Sequence, residues 1–193
     1  GGVALVLLAM FVLRQFGYRD YIGVDQFWAL GKLLLALSLL WFWFWFSSFN
    51  ILWYGKKLNE RAVLDLLMFG PYYPIFVATF LLNFIVPFFL MIWNPVRKSI
   101  WGPTVVAAGV LIGTVLDRVR IYAAAYSIPE DEAAAHRLEV VPSAVTPGLP
   151  DVLIWVGAIS GAILVFMLVS RVIPVVNIWE QKELLLYRVP RRF

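Results

Sequence analysis

Cysteine is absent from these 193 residues, and histidine occurs once, at His136. The first absence excludes disulfides, cysteine-held iron–sulfur clusters and thiolate chemistry borne by this chain, while leaving the redox compartment unread. The second denies a membrane-embedded haem its two axial histidines, and no metal site is expected. Any redox centre that works with the chain must therefore sit on partner subunits. Charge is also scarce, at 15% of residues, and the net charge of +4 is spread over segment ends with no basic patch for nucleic acid.

Apolar residues fill the space, at 62% of the chain with a mean hydropathy of +0.84. That balance implies a polytopic, all-α transmembrane helix bundle. Nine tryptophans and fifteen phenylalanines supply lipid-facing bulk and interface anchors.

Five segments are expected to span. The first apolar run, Gly1 to Leu13, is short of the roughly 20 residues a span needs and reads as a truncated helix. It has neither an initiator Met nor a charged leader, so the expectation is a C-terminal part of a longer protein, with a signal peptide as the alternative. The second runs from about Phe27 to Tyr54 through the aromatic stretch 41–46. Lys32 near its start can snorkel to the surface. Ser47, Ser48 and Asn50 place small polar groups toward its other end, for helix–helix hydrogen bonds or a proton path. Asn59 to Phe69 reads as an amphipathic helix on the membrane surface, with Asn59 as cap and Ala62, Val63, Leu66 and Leu67 as its stripe.

The third span, about Tyr72 to Trp93, has Asn83 and Pro87 at its centre. Proline removes the backbone bond to the carbonyl four residues back, which is that of Asn83, so a kink and a polar notch coincide. The notch either shapes the bundle or hosts water and a proton path. The fifth span, about Asp151 to Ile173, carries Gly157 and Gly161. These two glycines predict close packing on the fourth span.

That fourth span, Trp101 to Tyr126, is the informative one. Asp117 lies about 24 Å beyond its start, near or within a hydrocarbon layer about 30 Å thick. Gly109, Gly113 and Asp117 recur every four residues and share a face that should meet another helix. Arg118 projects about 100° away from Asp117. Arg120, three residues on, is the better mate, and Arg118 needs an acceptor elsewhere.

The chain thus divides into helices over 1–126, an outer polar loop over 127–150, a last transmembrane helix over 151–173 and a basic tail over 174–193. Ten of its sixteen lysines and arginines lie on the side of Arg14, Lys32, Arg97 and the tail, and six on the side of Lys56 and Arg137. The positive-inside rule then predicts a cytoplasmic C-terminus, with the 128–150 loop and Asp117 outward.

Several motifs carry a likeness to a known family. They are the opening Gly-Gly-Val-Ala, Lys32-Leu33-Leu34-Leu35 leading into the aromatic run, Phe49-x-x-x-Trp53-Tyr54-Gly55, Asn83-x-x-x-Pro87, Asn94-Pro95 and Gly113-x-x-Leu116-Asp117-Arg118. In order and spacing through residue 126 they resemble the second half of the NrfD-like, polysulfide-reductase-type membrane subunits, a family that includes those of alternative complex III. The resemblance implies an eight- to ten-helix subunit of the bacterial cytoplasmic membrane. Such a subunit takes part in quinone-linked electron transfer and docks against iron–sulfur and cytochrome (haem) subunits and a second NrfD-like subunit. It implies no catalysis by the chain alone, no cofactor bound by it, and a quinone site in the preceding half. The half seen here is the one associated with proton conduction or scaffolding. One departure stands out: many relatives have a glutamate beside the serine where this chain reads Ser47-Ser48. A proton path through the second helix thereby loses its carboxylate, leaving Asp117 with Arg118 as the matching acid–base pair. The alternatives are half of a secondary transporter or channel, or a purely structural subunit in which Asp117 and Arg118 clamp the bundle.

Overall fold

Helix is the only regular structure among the residues that the computed structural model describes, namely 1–55, 57–131, 138, 141–173, 179 and 182. The chain falls into two compact units, Gly1–Thr146 and Pro147–Phe193.

In the first unit, α1 (Gly2–Gln15) is followed by a 3₁₀ turn at Tyr18–Asp20 and the 32-residue α2 (Val24–Gly55). Next comes α3 (Leu58–Leu64), which runs on as a π-helical turn, Asp65–Phe69. Then α4 (Tyr73–Phe80), a second π-helical turn (Leu81–Ile85) and α5 (Val86–Ile92) make one continuous rod. The four-residue α6 (Asn94–Arg97) leads into α7 (Trp101–Tyr126). The second unit contains α8 (Leu149–Val169), whose entry is held by the Gly148 N–H donating to the Asp151 carboxylate at 2.8 Å.

Among the described residues three helices are long and apolar enough to cross a membrane: α2, the rod Tyr73–Ile92 and α8. The chain is therefore a membrane protein. α1 is apolar but shorter. α7, at 26 residues, rises about 39 Å, long enough to span, but Asp117, Arg118 and Arg120 lower its apolar character. A count of five spans thus depends on α1 and α7.

Proline chemistry explains both π turns. The carbonyl of Asn83 would accept from residue 87 and that of Leu67 from residue 71, and both donors are prolines without an N–H. Each helix widens just before its proline, and in the second turn Val86 N–H reaches five residues back to Leu81. The expected notch at Asn83 and Pro87 is therefore a π turn with Asn83 at its middle.

The core forms where α1, α2, α5 and α7 meet, through Ala4, Leu7, Phe27, Leu34, Met91, Val106 and Val110. Along α2 the aromatic run is two-faced. Phe42 stacks on Phe84 of the second π turn at 4.1 Å, and Trp45 lies on Phe76 and Phe80 at 5.7 and 5.1 Å. Trp43 and Phe44 face outward. The expected lipid-facing bulk is therefore only part of the run: rings three residues apart weld α2 to the α4–α5 rod, because a 3.6-residue period brings them to one face.

Two further expectations change. α3 begins at Leu58 with Lys57 at its N-cap, so Asn59 lies inside the helix and is not its cap. Its stripe of Ala62, Val63, Leu66 and Leu67 packs on protein, in a second cluster with Tyr72, Ala124 and Leu138. Leu138 of the polar loop belongs to that cluster, and the Val145 N–H donates to the Tyr72 hydroxyl at 2.9 Å. His136 and most of the tail, including Arg188, Arg191 and Arg192, lie outside the described residues.

Candidate functional site: a buried polar column between the rod and α7

α7 runs antiparallel to the α4–α5 rod because only the short α6 and a few residues join them. The register is fixed at three levels. Tyr72 and Ala124 share one cluster, the Arg120 guanidinium lies 5.3 Å from the Phe76 ring centroid, and the Asn83 side chain lies against Gly113. An antiparallel pair in that register puts Thr79 level with Asp117.

Asp117 and Arg120 are the only ion pair buried in the membrane helices among the described residues. Arg120 Nη2 donates to Asp117 Oδ1 at 2.8 Å, and the two residues are 4% and 9% exposed. The three-residue spacing brings them to one face, as the sequence predicts. Arg120 Nη1 also donates to the Leu67 carbonyl at 3.0 Å, in the first π turn. That carbonyl is the one Pro71 leaves without its α-helical donor, so a helix irregularity supplies the acceptor for a buried guanidinium. A charge at this depth is tolerated when it is paired and fully bonded. The pair with its carbonyl and the Phe76 ring meets most of that requirement.

Below the pair the column continues with polar atoms that have no protein partner. Thr79 is 0% exposed and Asn83 4%, and Thr79 Oγ1, Asn83 Oδ1 and Arg120 Nε make no hydrogen bond. Buried oxygens of this kind are normally satisfied by water.

Gly113 makes the arrangement possible. A Cβ there would stand 2.7 Å from Asn83 Oδ1 and 2.9 Å from Leu82 Cβ, while one at Gly109 would meet Leu82 Cδ2 at 3.5 Å. The small-residue face of α7 is therefore occupied by the rod within the first unit.

The remaining sequence candidates lie apart. Arg118 is exposed and has no partner among the described residues, so Arg120, and not Arg118, forms the acid–base pair. Ser48 is exposed and donates to the carbonyl of Phe44, one turn back, at 2.9 Å. Ser47 is half-buried on α2, and no hydrogen bond joins either serine to the column. Thr79 and the Leu67 carbonyl escape sequence reading. Thr79 carried no charge to mark it, but its place one turn before Asn83 was an available signal. Among the described residues no three His, Cys, Asp or Glu side chains gather as a metal site.

In comparison with known proteins, no family model and no curated protein matches the chain.

Proposed function

We propose that the chain is an integral membrane subunit of a quinone-linked electron-transfer complex of the bacterial cytoplasmic membrane, carrying no redox centre of its own. The order of motifs through Asp117-Arg118 supports the redox assignment, and the absence of cysteine puts any iron–sulfur cluster on partners. Purification from mild detergent should bring along Cys- and His-rich redox subunits, and recovery without them would favour a transporter half.

Within that role the buried Asp117–Arg120 pair carries the reading. It is a clamp that fixes α7 against the rod and the first π turn. The unpartnered oxygens of Thr79 and Asn83 favour a second use, proton exchange between Asp117 and ordered water. The two uses separate in an Asp117→Asn variant reconstituted with its partners. Lost assembly supports the clamp; normal assembly and electron flow with fewer protons released per electron supports the path. A variant unchanged in all three would sink both.

The charge distribution supports an inward C-terminus and an outward 127–150 loop. A cysteine at Glu130, which is exposed on that loop, is expected to react with an impermeant maleimide from the outer face of intact cells. Reaction only after permeabilisation would reverse the orientation.

A further inference from the structure

At the end of the bundle opposite the α3 cluster, two ammonium groups converge on one ring. Lys32, one turn beyond Trp28 on α2, lies 4.2 Å from the Trp28 ring centroid, and Lys98, just after α6, lies 5.2 Å from it. The two charges are therefore no farther apart than those two distances together. Both lysines are exposed, and among the described residues neither has a carboxylate within ion-pair distance. Two like charges held side by side repel unless an anion sits between or over them.

The surroundings add a third cation and further N–H donors. Arg97 packs on Gly31 and is fastened by Nη1 to the Met91 carbonyl at 3.1 Å and by Nη2 to Asn94 Oδ1. Its Nε and the Trp28 Nε1 are buried without a hydrogen-bond partner. The cluster sits at the level of a membrane interface: Trp93 and Trp101, 63% and 65% exposed, flank it where α5 ends and α7 begins. Tryptophans at helix ends mark headgroup depth. A basic cluster at that depth matches the phosphate of an anionic lipid, whose acyl chains would lie along the apolar faces below.

We propose that Lys32, Lys98 and Arg97, set around Trp28, form a binding site for the headgroup phosphate of an anionic phospholipid. The site draws on no residue of the buried column and stands independently of the redox reading. The column could fail its test and this site still bind.

The intact chain with its partners, stripped of lipid in detergent, would be titrated with phosphatidylglycerol and separately with phosphatidylcholine, and bound lipid counted by native mass spectrometry. Phosphatidylglycerol is expected to bind more tightly. A Lys32→Gln/Lys98→Gln variant should lose roughly tenfold or more of that affinity, with phosphatidylcholine binding unchanged. Lys32→Arg/Lys98→Arg should keep most of the affinity, and Lys57→Gln, at the other end of α2, should change nothing. Equal phosphatidylglycerol affinity in the double glutamine variant would overturn the proposal. So would displacement of the lipid by inorganic phosphate alone, which would point to a soluble anion.

Discussion

Replacing Arg120 by leucine is expected to destabilise the bundle by about 3–5 kcal/mol, the largest effect of any single side chain here. The substitution removes the 2.8 Å pair with Asp117, the 3.0 Å bond to the Leu67 carbonyl and the contact with Phe76. It leaves a carboxylate that is 9% exposed with no cation beside it. Removing one partner of a buried pair is worse than removing both, because the survivor has lost its hydration without compensation. The companion variant Asp117→Leu/Arg120→Leu should therefore recover most of the loss, helped by the lower cost of inserting a helix free of two charges. Titration with dodecyl sulphate in mixed micelles measures both. An Arg120→Leu protein within 1 kcal/mol of the parent would show that the pair is not what holds α7.

Gly113→Leu is expected to have the next largest effect, at least 1–3 kcal/mol by overpacking, with loss of the Asn83 position. The rod cannot simply retreat. On its far side Phe84 is stacked on Phe42 at 4.1 Å, and Phe80 lies against Trp45. A side chain inserted at Gly113 therefore has either to displace Asn83 and Leu82 or to open the α2 interface. Ile112→Ala provides the control one residue away, since Ile112 points outward at 56% exposure and should change stability by no more than about 0.5 kcal/mol. If Gly113→Leu behaved like that control, the close contact with Asn83 would not exist in the membrane.

Much of this follows from local rules. The limits of α7, Trp101 and Tyr126, were readable because a mostly apolar, helix-length run lies between Lys98-Ser99 and the polar loop that opens at Ser127. The Asp117–Arg120 pair was readable because a spacing of three brings side chains together on any helix. Pro87 with Asn83 was readable because a proline always orphans a carbonyl four residues back. The membrane class itself follows from hydropathy alone.

Other features depend on distant parts of the chain coming together. Sequence placed the aromatic run in α2 and offered it as lipid-facing bulk. Only the packing of α2 on the rod decided that Phe42 and Trp45 turn inward. The α3 stripe has the pattern of a surface-lying helix. Only the approach of Tyr72, Ala124 and Leu138 covered it with protein. Thr79 is an unremarkable residue in an apolar helix until the antiparallel register sets it level with Asp117.

By itself, the sequence determined helices, their faces and the pairs within them, since the 3.6-residue period and proline's missing N–H act over a single turn. Tertiary structure alone decided which faces meet and at what height: the Leu67 carbonyl against Arg120, Asn83 against Gly113, Lys98 against the Trp28 ring. Those partners lie tens of residues apart, and their meeting depends on interhelix register, which shape complementarity at glycine and the rings sets and no local pattern encodes.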